Sequence, residues 1–109
     1  MTVRVIEFVN NQAKKNMCEL PEWVSTQFMV ELDSVAHGNR PSLEIDHLTS
    51  VGKGAIEIKI NGRPAYRCVY TNKLDGKLVI LHAFKKTTNG PDTHNCEVAR
   101  QRLKELLSR

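Results

Sequence analysis

Between Ala55 and Lys86, three runs rich in isoleucine, valine, leucine and tyrosine alternate with polar residues, separated by Asn61-Gly62 and Asp75-Gly76. Alternation with period two marks a strand with one buried face, and Asn-Gly and Asp-Gly are strong hairpin signals. The pattern predicts an antiparallel meander. A two-residue loop at Asn61-Gly62 would set Ile56 opposite Arg67 and Tyr66 beside Glu57, mixing apolar and polar faces. A three-residue loop instead groups the isoleucines with the tyrosines and Arg67 with Glu57 and Lys59, so an odd-numbered loop is expected. Asp75-Gly76 as a two-residue loop pairs Leu74 with Lys77, Tyr70 with Leu81 and Arg67 with Phe84. One face then carries the isoleucines, Tyr66, Cys68, Tyr70, Val79, Leu81 and Ala83, which is a core. The other carries Glu57, Lys59, Arg67, His82 and Lys86, with Val69, Ile80 and Phe84 between them, as a net positive patch.

Upstream, Thr2 to Val9 alternates well enough to be an opening strand paired with the meander. Gln12 to Leu20 predicts a short helix, and Pro21 suits the first turn of a second one. There Val24, Phe28, Leu32 and Val35 recur at helical spacing and Gly38 ends the run. This stripe is expected to cover the isoleucine and tyrosine face, with Met17, Trp23 and Met29 as core or edge packing. Asn39 to Val51 reads as a connection containing one short strand near Leu43 to Leu48. After the meander, Pro91 is expected in the first helical position, with Asp92 at the positive end of the helix dipole. Ala99, Leu103 and Leu106 give this helix an apolar edge, and Arg100, Arg102, Lys104 and Arg109 a basic, solvated remainder.

The sum is an α+β fold with a four-stranded antiparallel sheet, N-terminal helices on one face and a C-terminal helix. At 109 residues it is a single domain, 1–109, of a size that folds without disulfides or metal. Cys18, Cys68 and Cys96 are odd in number and far apart, which supports neither a disulfide framework nor a zinc ribbon. Cys68 reads as a small buried hydrophobe. No stretch approaches a membrane span and the N-terminus lacks the pattern of a signal peptide, so a cytoplasmic setting is expected. A formal charge of +4 suits an anionic partner and, equally, simple solubility.

No nucleophile elbow, Walker loop, dinucleotide fingerprint or His-Glu-x-x-His pattern is present. Asp92, His94 and Cys96 alternate inside a helix start, where side chains two apart do not converge, so neither metal nor cofactor is expected. The patch on the meander is the better candidate. Lys59, Arg67, Lys86 and Lys85 offer cations for phosphates, His82 a group suited to proton transfer, and Phe84 a ring on which a base can stack. The set fits RNA cleavage by attack of a 2′-hydroxyl on the adjacent phosphate, a reaction that needs no metal.

Ala-Tyr-Arg-Cys-Val-Tyr at 65–70, Leu-Val-Ile-Leu-His-Ala-Phe-Lys-Lys-Thr at 78–87, and then Pro91, Glu97, Ala99 and Arg102 resemble the RelE/ParE toxin superfamily in its HigB-like, phage-derived branch. Glu57-Ile58-Lys59 matches a Glu-Leu-Arg-like strand of that branch, and the resemblance covers roughly residues 50–105. It implies a toxin of a type II toxin–antitoxin pair that cuts mRNA on the ribosome and is neutralised by a cognate antitoxin of helix-turn-helix type. Arg67 matches the strand arginine, Lys59 the basic residue of the preceding strand, and Lys85 or Lys86 the basic residue ending the last strand. In this reading Arg67 and Lys86 stabilise the transition state, Lys59, Lys85 and Phe84 hold RNA, and His82 transfers a proton. Some ribonuclease members carry a tyrosine near the final helix and a second lysine in the basic strand; here Thr93 to Val98 has no tyrosine and Glu57 takes the lysine position.

Two rival readings share the scaffold: a ParE-like inhibitor that binds DNA gyrase without RNA chemistry, and an inactive basic binding module. Because Arg67 is expected to face away from the core, its truncation to alanine is expected to leave the fold intact.

Overall fold

In the computed structural model, which describes residues 3–109, the first strand, β1 (Val5–Phe8), is followed by Asn10, which caps helix α1 (Asn11–Cys18). The Asn10 side-chain oxygen accepts from the Ala13 amide at 2.8 Å, satisfying one of the amides that a helix start leaves unpaired. Pro21 caps helix α2 (Glu22–Ala36), and Gly38, at φ 90°, ends it in a conformation that suits glycine. Strands β2 (Glu44–His47), β3 (Ala55–Ile60), β4 (Ala65–Thr71) and β5 (Lys77–Lys86) follow, and helix α3 (Thr93–Leu107) closes the chain. Pro91 lies before α3 and not within its first turn. The cap is Asp92, whose Oδ1 accepts from the Asn95 amide at 3.1 Å.

The sheet has five strands in the order β1-β5-β4-β3-β2 and is mixed, which corrects the expected four antiparallel strands. β2, expected only as a short strand within a connection, is the edge beside β3. β1 runs parallel to β5, with the Val5 amide donating to the Gly76 carbonyl at 2.8 Å and the Val9 amide to Ile80 at 2.9 Å. A tight turn forces neighbouring strands antiparallel, but most of the chain lies between β1 and β5, so packing alone sets their direction. Of the expected strand Thr2 to Val9, Thr2 lies outside the described residues.

The odd-numbered first loop is present, but longer than expected: Ile60 pairs with Tyr66, which leaves residues 61–65 as the loop. Ile58 therefore faces Cys68, and Arg67 faces Lys59 directly. In the second hairpin Arg67 pairs with Phe84 as expected, whereas Tyr70 pairs with Ile80 and not with Leu81. The turn explains the shift. Lys77 donates back to Leu74 at 3.1 Å, and among the described residues only glycines have positive φ, so Asp75 cannot form the type I′ turn that the two-residue register needs. The surplus residue is absorbed as a bulge at Leu81, which sends Leu81 and His82 to the same side of the sheet.

Two cores result. On one side Val24, Phe28, Leu32 and Val35 of α2 cover Ile58, Ile60, Tyr66, Cys68 and Tyr70, as expected, together with Leu78 and Ile80. On the other, Ala99, Leu103 and Leu106 of α3 cover Val69, Val79, Leu81 and Phe84. The face expected to be an open polar patch is thus mostly beneath a helix. Met17 is buried, Met29 packs at the edge, and the exposed Trp23 meets Tyr66 edge-on at 6.0 Å. Burial also pushes the Cys68 thiol up, as befits a core residue.

Candidate active site

Beyond the N-terminal end of α3, the sheet face that α3 covers opens into a cleft of about 260 Å³. β4 and β5 hold Arg67 opposite Phe84, and Lys86, two residues further along β5, lies on the same side. Ser50 and the Gly90–Asp92 segment close the far wall. A second cleft, of about 530 Å³, lies between the β3–β4 loop and residues 87–89. Arg67 and Lys86 line both. The two cations therefore stand at a junction.

Arg67 is only 8% exposed, and its Nε lies 3.7 Å from Oε1 of Glu57, itself 9% exposed. One guanidinium nitrogen also donates to the Tyr66 carbonyl at 3.0 Å. Burial pushes the Glu57 carboxyl above its ordinary range, and the charges of Arg67 and Lys59 only partly offset this. Arg67 is consequently part of the packed structure, and the expectation that its truncation leaves the fold untouched does not hold.

Lys59 is not a free cation. Glu44, at 3.4 Å, and Asp46 clamp it from β2, and the Asp46 hydrogen bond raises the lysine pKa while it lowers that of Asp46. With Asp46, Glu57 and Asp92 facing Lys59, Arg67 and Lys86, the cleft balances its charges. This corrects the net positive patch. Only with β2 placed beside β3 do its two carboxylates come into view. Among the described residues Lys86 forms no ion pair.

Lys85 points the other way, paired with Tyr66 on the α2 side of the sheet and exposed. Alternation along the strand thus puts Lys86, and not Lys85, on the same side as Arg67. Phe84 lines the cleft, but it is packed in the second core and stacks on His82, centroids 5.0 Å apart. It is a wall and not an open platform.

His82, 5% exposed, sits behind Phe84 under α3. Arg102 donates to its Nδ1 at 3.1 Å, so Nε2 carries the proton and donates to Asn95 Oδ1 at 2.7 Å. Asn95 passes the chain on through its Nδ2 to Asp92 Oδ2 at 2.8 Å. Burial holds the His82 pKa below its ordinary value, the Asn95 bond opposing and the Arg102 charge reinforcing. Both ring nitrogens are engaged within the protein, so His82 does not stand on the exposed patch where the sequence placed it. Arg102 was read as part of a solvated basic face, yet it also binds Asn16 of α1 at 2.9 Å and the Leu81 carbonyl at 3.0 Å.

Among the described residues no helix is long and apolar enough to cross a membrane. Residues 15–104 match the model of the phage-derived Gp49-like protein family (DUF891), and the chain belongs to this family, which is RelE/toxin-like. No curated protein gives a significant match.

Proposed function

We propose that this chain is the toxin of a type II toxin–antitoxin pair, of the HigB-like kind, and that it cuts mRNA on the ribosome. The observation that carries the reading is the buried Glu57 beside Arg67, at the meeting of two clefts that share Arg67 and Lys86. A surface that only bound RNA would gain from cations alone, and a buried carboxylate would weaken it. Cleavage needs both signs of charge: a base for the hydroxyl proton and cations for the phosphate oxygens.

In this mechanism the phosphodiester sits against Arg67 and Lys86. Glu57 takes the proton of the 2′-hydroxyl, O2′ attacks phosphorus, and the five-coordinate centre places extra charge on oxygens beside the two cations. The bond to O5′ then breaks. The 5′-oxygen takes a proton from water on the open side near Lys86, the hydroxide so formed is neutralised by the proton that Glu57 returns to solvent, and the products are a 2′,3′-cyclic phosphate and a 5′-hydroxyl. Lys59, held by Glu44 and Asp46, supports the charge of Glu57 without touching the substrate. His82 acts as a positioning residue, tying α3 to the sheet behind Phe84. A cognate antitoxin, of helix-turn-helix type, would neutralise the protein by covering this site.

Induction without antitoxin tests the reading in cells: growth should stop, plasmid supercoiling should stay normal, and Lys86→Ala should restore growth. Relaxed plasmid with intact mRNA would place the activity at gyrase, and undisturbed growth would leave a binding module.

A further inference from the structure

The two clefts are not equivalent, because Glu57 lines the smaller and not the larger. In attack by a 2′-hydroxyl, the nucleophile belongs to the nucleotide on the 5′ side of the phosphate, and its proton must pass to a base within hydrogen-bond reach. With the phosphate at Arg67 and Lys86, that nucleotide has to lie in the Glu57 cleft. The nucleoside that leaves with O5′ extends the other way, into the cleft between the β3–β4 loop and residues 87–89.

We propose that this larger cleft is the subsite for the nucleoside 3′ of the cut, and that Asn61, Arg63 and Asn89 read its base. The inference rests on the phosphodiester reading of Arg67 and Lys86 given above. At about 530 Å³ the space lies within the range of small-molecule sites. Asn61 comes from one wall and Asn89 from the other, and each amide offers a donor and an acceptor, the pairing that a base edge presents. Arg63 adds a planar guanidinium on which an unpaired base can stack. All three are exposed and none belongs to either core, so the fold makes no other demand on them. Base preference on the 3′ side is then carried by two loops, while the chemistry stays on the rigid strands.

Two probes test this on the full chain by NMR of the backbone amides. One is a dinucleoside phosphate whose 5′ sugar is 2′-deoxy and so cannot be cut; the other is the matching nucleoside 3′-monophosphate, which ends at the phosphate. Both should move the signals of Arg67 and Lys86, and only the dinucleotide should move those of 61–63 and 87–89. The triple variant Asn61→Ala, Arg63→Ala, Asn89→Ala should bind the dinucleotide no more tightly than the monophosphate, with the signals of Arg67 and Lys86 still moved by both probes. Dinucleotide shifts confined to the Glu57 cleft, or equal shifts of Asn61 and Asn89 by both probes, would overturn the subsite. If neither probe moves Arg67, the phosphodiester reading itself fails and the subsite falls with it.

Discussion

Arg67 Nε and Glu57 Oε1 lie 3.7 Å apart on adjacent strands, both side chains almost out of solvent. Neither is placed for its own stability: burial raises the carboxyl pKa, and Arg67 would be easier to hydrate outside. A buried pair of this kind at the rim of a cleft marks a candidate site.

Removing Glu57's charge should separate function from stability. Glu57→Gln keeps a group that can accept from Arg67 and removes a poorly solvated charge. Its melting temperature is expected to fall less than that of Arg67→Ala, because the amide still accepts from the buried Arg67, while cleavage falls about a hundredfold or more. A stable variant with undiminished cleavage would remove Glu57 from the mechanism.

As the proposed base, the same group should set an acid limb in the rate. A base must be deprotonated to act, so activity is lost as pH falls through the raised Glu57 pKa, above the ordinary carboxylate value of 4.5. Initial cleavage rates between pH 4.5 and 8 should show this limb in the wild type, and any residual rate of Glu57→Gln should lack it.

Arg67→Ala should lose both activity and stability, because it leaves Glu57 buried without its partner. A loss of about 1–3 kcal/mol is expected in urea titration. Arg67→Lys should retain most of that stability and still cut at least about tenfold more slowly, since an ammonium cannot reproduce the fork of the guanidinium.

The two neighbouring lysines of β5 should differ sharply. Lys86→Ala should cost about tenfold or more in cleavage, with stability within about 0.5 kcal/mol of the wild type. Lys85→Ala, on the opposite side of the sheet, should leave cleavage nearly unchanged. Equal losses from both would show that the charge of the strand end matters and not its geometry.

His82 should make the fold acid-sensitive. Its folded pKa is depressed, so as pH drops below about 6.5 the unfolded chain takes up a proton that the folded chain resists, and stability falls. Melting temperatures at pH 7.5 and 5.5 should differ more for the wild type than for His82→Gln. Equal differences would mean that His82 does not couple α3 to pH.

The helices, the strands of the meander and most of the first core were legible because each rests on local periodicity, although Val79 and Leu81, expected in that core, lie in the second. Val24, Phe28, Leu32 and Val35 announce a helix face, and Arg67 opposite Phe84 was read from a two-residue turn whose register the bulge at Leu81 restores. What escaped depends on contacts between distant segments. The parallel docking of β1 has no turn to announce it, and the bulge at Leu81 depends on the backbone of Asp75, not on its residue type. The site suffered most from the same cause. Lys59 seemed free until β2 brought Glu44 and Asp46 beside it, and His82 seemed exposed until α3 covered it. Glu57 was in view as a departure from the lysine expected there; its flanking by Lys59 and Arg67 on one strand face was the signal for a partnered carboxylate.

The most direct test of the central claim is to add the purified protein to a translating extract with a defined mRNA and map the new 5′ ends, beside naked mRNA and the Glu57→Gln and Arg67→Lys variants. The account predicts cuts in frame with codons, bearing 5′-hydroxyls, present only during translation and strongly reduced in both variants. Intact mRNA in an extract that the wild-type protein has been added to, or cuts that both variants make as well as the wild type, would contradict it.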